Sequence, residues 1–259
     1  MPKIEQFAVI LYTLRDFLKT PEEIDATFAK VAKIGYQAIQ VSGMAKDVLS
    51  AEGIAELAAK HGLTICATHE PGVDICDDTS AVIERLNKLG TKYTAYPFPA
   101  GVDCGSESSI SELIAKLEAA GKLMAEAGQV LTYHNHAHEL HTINGTTMLE
   151  RLYDETTPAY LQGEIDTFWI QRGGCDIIEW IEKLDGRLPL IHLKDFKVSP
   201  TGEVDFAEIG NGNLNFPKII AAAEKAGCEW YIVEQDSCPG DPFDSIQQSF
   251  EYIQANLVS

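Results

Sequence analysis

Basic residues are scarce in this sequence: 20 Lys and Arg stand against 39 Asp and Glu, giving a net charge of −19 and a pI near 4.6. Such an acidic surface repels phosphate backbones and anionic lipid, which argues against nucleic acid and membrane surfaces as partners. A neutral or cationic small molecule remains. Long hydrophobic runs are missing as well. The opening stretch MPKIEQFAVILYTLRD has an apolar run too short and too soon interrupted for a signal peptide, and nothing later approaches a membrane span, so the expected location is the cytoplasm. Six cysteines (Cys66, Cys76, Cys104, Cys175, Cys228 and Cys238) are scattered with no CxxC pair. Free thiols are therefore expected, and none has the local setting of a nucleophile. No low-complexity tract is present, and no GxGxxG follows the first apolar run, which weighs against a doubly wound dinucleotide fold.

What is present is a regular alternation of short apolar runs with amphipathic stretches, the pattern of βα units feeding a parallel sheet. The runs FAVILY, YQAIQVSG, LTICATHE, KYTAYPFP, QVLTYHNH, AYLQGEID, LPLIHLKD and WYIVEQD read as eight strands. The first helix is predicted over 20–34, with Thr20 as cap, Pro21 at the first helical position and Glu23 closing a capping box. Others are expected over 47–61, 79–89, 108–128, 146–154, 176–184, 215–227 and 245–257. Eight units of roughly 32 residues make a single α/β domain over 1–259, a closed (β/α)8 TIM barrel. A chain of this size can bury a large core.

In a closed parallel barrel, chemistry belongs at the C-terminal ends of the strands. His69 ends the third run, His134 and His136 the fifth, Asp166 the sixth, His192 the seventh and Glu234 the eighth. The stretch LTYHNHAHELH holds four of the seven histidines. Period-2 alternation places Glu164 on the same face as Asp166 and Lys194 on the same face as His192. Taken singly, a strand-end histidine is more often a hydrogen-bonded structural residue, and a strand-end aspartate the cap of the next helix; Asp166, Asp195 and Asp236 all suit that plainer role. Their coincidence shifts the balance. Glu139, Asp166, His192 and Glu234 follow successive strands and form a hard, oxygen-rich set that suits Mn²⁺, Co²⁺, Mg²⁺ or Fe²⁺ better than Zn²⁺.

Motif by motif, the sequence resembles the xylose isomerase-like TIM-barrel superfamily, also called sugar phosphate isomerase/epimerase. YHNHAHEL resembles its YHNHxxEF signature, GEIDTFWIQRGG its E-x-D segment, RLPLIHLKD its HxKD strand and IVEQD its closing strand. The resemblance covers nearly the whole chain. It implies one divalent metal held by Glu139, Asp166, His192 and Glu234, with His134 or His136, nearer the strand end, as the alternative to Glu139. A superfamily member that is a three-zinc DNA-repair endonuclease is disfavoured, because TAYPFP ends without a histidine and Trp169 stands where that type carries another.

The activity so implied is that of a metal-dependent sugar isomerase or epimerase, which abstracts a proton beside a carbonyl through a metal-stabilised enediolate. Glu139 and Glu234 are candidates for ligand and base together; His69, His134 and His136 for acid, base or orienter; Lys194 for stabilising an oxyanion. Tyr12, Gln40 and Trp169 are expected to touch substrate, whereas Phe98 reads as a core aromatic. Without a Gly-rich phosphate loop or arginine cluster at the mouth, a non-phosphorylated sugar, keto-sugar or glycoside is expected. A lyase or dehydratase acting on an oxidised glycoside or cyclic polyol is the alternative, and a non-catalytic sugar-binding barrel the second. A homo-oligomer is compatible with the fold.

Overall fold

The computed structural model describes residues 1–258. Eight strands run parallel in one closed barrel: β1 (Phe7–Ile10), β2 (Ala38–Val41), β3 (Thr64–His69), β4 (Tyr93–Tyr96), β5 (Val130–His134), β6 (Gln162–Asp166), β7 (Leu190–Leu193) and β8 (Trp230–Val233). Closure is direct, with Ala8 of β1 beside Ala38 of β2 on one side and Ile232 of β8 on the other. The (β/α)8 reading therefore holds.

The strands are short and buried on both faces, because helices cover the outside and side chains fill the inside. Outward residues such as Val9, Ile39, Leu131, Ile165, Ile191 and Val233 join the helices in the main core. Inward residues form a second, smaller cluster that includes Ala8, Ala38, Ala67, Leu190 and Ile232. Above this apolar floor the interior turns polar. Thr68 Oγ1 donates to Thr94 Oγ1 at 2.8 Å, and Thr132 Oγ1 donates to the Thr94 carbonyl at 3.2 Å. A register shift of β2 against β3 at Ile39 and Gln40 occurs at the same height.

All eight expected helices form: α1 (Pro21–Ile34), α2 (Ala51–Lys60), α4 (Thr79–Leu89), α5 (Glu107–Glu126), α6 (Met148–Asp154), α8 (Ile177–Lys183), α9 (Phe216–Lys225) and α10 (Pro242–Asn256). Two six-residue helices, α3 (Gly72–Asp77) and α7 (Thr167–Arg172), were not expected; they are too short to show an amphipathic stripe. The second helix starts later than predicted because Ser50 caps it, accepting from the Gly53 amide. The first capping box is half made: Thr20 Oγ1 accepts from the Glu23 amide, but Glu23 Oε2 accepts from the Lys19 amide. On α5, Gly121 is required by close approach, since a Cβ there would sit 1.9 Å from the Tyr160 carbonyl oxygen.

The loops at the strand C-termini shape the mouth. After β1 the chain turns at once into 3-10 geometry (Leu11–Phe17), which lifts Tyr12 to the rim. After β7, Asp195–Val198 pairs antiparallel with Val204–Ala207. Asp195 is not a helix cap; its carboxylate accepts from the amides of Phe196, Gly210, Gly212 and Leu214 and ties down the loop before α9. All six cysteines are free thiols, and among the described residues no helix is long and apolar enough to cross a membrane.

Candidate metal centre

Strand ends carry the polar cluster because β6, β7 and β8 are neighbours in register: Asp166 lies beside His192, and His192 beside Ile232, two residues before Glu234. His192 sits at the middle. Its Nδ1 is 2.6 Å from Glu234 Oε2, and its Nε2 is 2.7 Å from Gln40 Oε1 and 3.1 Å from Glu164 Oε1. Glu164 anchors the deeper layer, with His69 Nε2 at 2.6 Å from Oε1 and Gln40 Nε2 donating to Oε2 at 2.8 Å. Lys194 forms the other hub: its Nζ lies 3.0 Å from Asp166 Oδ2, 3.0 Å from Glu234 Oε2 and 3.1 Å from Asp236 Oδ2.

These charges survive burial only because they are paired. Burial alone would lower the His192 pKa, yet the Glu164 and Glu234 carboxylates beside it raise it to about 10. Burial would likewise discharge Lys194, but Asp166, Glu234 and Asp236 drive its pKa upward. Against their own desolvation, Glu164 is held well below the ordinary carboxylate range by His192 and His69, and Glu234 by Lys194 and His192. Asp166 differs: burial outweighs Lys194 and, helped by Glu234, lifts its carboxyl to about 6. His134 is pushed well below the usual imidazole range by burial and by His192.

Above the cluster opens a cavity of about 570 Å³, lined among others by Tyr12, His69, His134, His136, Trp169 and Glu234. Its two lining cations are already engaged. Arg85 Nε donates to Glu70 Oε1 at 2.9 Å, and Lys46 pairs with Asp74. The Trp169 indole N–H and His136 Nδ1 are buried atoms with no hydrogen-bond partner.

One ligand atom each from His134, Asp166, His192 and Glu234 lies within 4.8 Å of the others, as does a second set of His69, His134, Glu164 and His192. The first set suits a divalent cation better. His134 Nδ1 is buried without a hydrogen-bond partner, 3.6 Å from Glu164 Oε1, and Asp166 Oδ2 is met only by the Lys194 ammonium. Unsatisfied donors and acceptors at this depth are costly unless something completes them. The deeper set is closed by its own contacts between His69, Glu164, Gln40 and His192. Imidazole and carboxylate donors together accept Mn²⁺, Co²⁺, Fe²⁺ or Zn²⁺.

Of the residues singled out in the sequence, Asp166, His192 and Glu234 meet as expected, and Asp166 also caps a helix, its Oδ1 accepting from the Trp169 amide at 3.0 Å. Glu139 does not join them. The 3-10 turn His138–Leu140 folds its carboxylate back under the chain, where it accepts from Tyr133 Oη at 3.1 Å and the His136 amide at 2.9 Å. It groups instead with His136 and His138, and His134 takes the place beside Asp166. Gln40 was expected at the substrate; it is fully buried below the cavity and bridges Glu164 and His192. Lys194 is 1% exposed and lies beneath the lining. Phe98, taken for a core aromatic, is 50% exposed and lines the mouth. Two residues went unassigned. Glu164 was visible on the Asp166 face of its strand but reads as barrel filling one step down, and Asp236 continues the inward face of β8 past Glu234.

Fold and site together define a (β/α)8 barrel with a buried His/Asp/Glu cluster under its C-terminal mouth that could hold a metal ion. Residues 28–256 match the xylose isomerase-like TIM barrel family, and the chain belongs to it. Among curated relatives, an inosose dehydratase from Geobacillus thermodenitrificans is 29% identical over 158 residues, 54% of this chain and 52% of that enzyme, so the match spans about half of its length. An inosose dehydratase from Mesomycoplasma hyopneumoniae is 23% identical over 97% of this chain and 95% of its own. Among solved structures, a sugar phosphate isomerase/epimerase from Parabacteroides distasonis superposes with a TM-score of 0.84 at 21% identity, covering 99% of this chain and 96% of that one.

Proposed function

We propose that this protein is a divalent-metal-dependent sugar isomerase or epimerase, acting on a non-phosphorylated sugar, keto-sugar or glycoside by removing and returning a proton beside a carbonyl. The observation that carries the reading is the convergence of His134, Asp166, His192 and Glu234, two of which also line the cavity. A divalent ion held there would supply Lewis-acid polarisation of a substrate carbonyl. The chain supplies the proton handling. Glu234, kept ionised by its cationic neighbours, is the base, and His69 and His136, on the cavity wall, are placed to return the proton or orient the substrate. Trp169 offers its unpartnered indole N–H to a substrate oxygen, and with Tyr12 and Phe98 forms an apolar wall for a sugar's C–H face. Lining cations already tied to Glu70 and Asp74 leave no strong phosphate grip, which supports an uncharged substrate.

Dehydration of an oxidised cyclic polyol is the second reading, favoured by the inosose dehydratase relatives and by His136, whose unpartnered Nδ1 could serve a leaving hydroxyl. It begins with the same proton removal, and the two readings part only in the fate of the carbanion. Solvent deuterium incorporation with added Mn²⁺, measured over a panel of keto-sugars and inososes, is the test. Exchange without loss of water, read as a one-unit gain in mass per deuteron taken up, is expected of an isomerase or epimerase, and loss of water marks a dehydratase. No exchange with any substrate of the panel contradicts both.

A further inference from the structure

Lys194 is held in an unusual box. Three carboxylates meet its ammonium at 3.0, 3.0 and 3.1 Å, while the rings of Trp169 and Phe206 lie 5.4 and 5.9 Å from Nζ. Its backbone is clamped on both sides by Thr167, whose Oγ1 donates to the Lys194 carbonyl and accepts from the Lys194 amide, each at 2.9 Å. Only the flexible four-carbon stem can change the position of the charge. Two of its three partners, Asp166 and Glu234, belong to the cation-binding set; the third, Asp236, does not, and Asp236 lines the cavity.

Two cations cannot hold the same carboxylate oxygens without repelling each other strongly at this depth. We propose that Lys194 is a tethered cation that shares Asp166 and Glu234 with the divalent ion: it neutralises them in the metal-free protein and withdraws onto Asp236 when the ion binds. This rests on the metal reading above and deepens it. Lys194 is then a positioning residue with two consequences. It spares the empty barrel a cluster of uncompensated buried carboxylates, and it weakens metal uptake, because the ion must displace an ammonium already in place. Its withdrawn position, on a carboxylate at the cavity edge, also sets its charge next to a bound substrate.

The test is Mn²⁺ titration calorimetry on the chelator-stripped full chain, comparing wild type with Lys194→Met, Lys194→Gln and Lys194→Arg, with thermal unfolding of each in metal-free and Mn²⁺-loaded form. Removing the competing charge should tighten Mn²⁺ binding by roughly tenfold or more in the Met and Gln variants, while Arg, which keeps the cation, stays near wild type. Metal-free Lys194→Met should melt below metal-free wild type and recover on Mn²⁺ addition. Should it not fold without metal, Lys194→Gln, which can still hydrogen-bond the carboxylates, carries the comparison. Mn²⁺ binding that is unchanged or weaker in both neutral variants overturns the tethered-cation role while leaving the metal site standing. Absence of Mn²⁺ binding in every form, wild type included, overturns both.

Discussion

Glu234→Gln loses proton exchange at the substrate carbon by roughly 10²–10⁴-fold, the usual contribution of a positioned base, and by more where metal is also lost. Among the described residues, Glu234 Oε2 is the one carboxylate oxygen that meets both cationic hubs, His192 at 2.6 Å and Lys194 at 3.0 Å, and the same side chain lines the cavity. An amide in its place has almost the same volume but no charge and no basicity, and its NH₂ cannot accept from either hub. His192 and Lys194 would be left short of a counter-charge, and the substrate without a base. The loss should therefore appear mainly in kcat, with a smaller change in KM, since Tyr12, Trp169 and Phe98 still form the wall. Full exchange activity in this variant would move the base elsewhere, with His69 and His136 next in line.

Glu164→Gln is expected to be the most damaging to stability. This fully buried carboxylate is shared by His69 at 2.6 Å, His192 at 3.1 Å and Gln40 at 2.8 Å. Its charge holds the deeper layer together, and breaking such a buried pair by removing one partner costs roughly 3–5 kcal/mol. For a chain of this size that lowers Tm by on the order of 10 °C, read by thermal unfolding of metal-free protein. A variant within a degree or two of wild type would mean that the deep histidines find other partners and that Glu164 is barrel filling after all. Metal affinity should fall too, because Glu164 and Gln40 orient the ring of His192, and ligand orientation by outer partners typically matters about 10–100-fold.

The contrast between Glu164 and Glu139 shows what the sequence makes visible. Asp166, His192 and Glu234 are legible because each closes an apolar run whose period-2 alternation fixes which way it faces, and barrel geometry then brings three distant segments to one rim. Glu164 obeys the same rule, but a carboxylate two residues inside a strand looks like an interior residue until the histidines of β3, β5 and β7 are seen to surround it. Glu139 had no rule to follow. It lies in an irregular turn where neither period holds, and whether its side chain projects to the mouth or folds back depends on the Tyr133 hydroxyl and the His136 amide that capture it. Lys194 was placed on the inward face of its strand and Gln40 was expected at the substrate, but the depth of both depends on the Thr167 clamp and the β2/β3 register shift, which are tertiary facts. Phe98 was misjudged because a large aromatic is usually buried, whereas the Pro-rich turn after β4 leaves it standing at the mouth.

The proposed chemistry requires His134, Asp166, His192 and Glu234, at the ends of β5, β6, β7 and β8, to enclose one divalent ion. Metal analysis of purified protein after equilibration with Mn²⁺, on wild type and Asp166→Asn, tests that most directly. Asp166 is the choice because its Oδ2 faces the cluster while its Oδ1 caps α7, and asparagine can keep the cap while giving up the charge. One bound ion per chain in wild type and well under one in the folded variant is the predicted result. Equal metal content in the two, or none in wild type, would contradict the account.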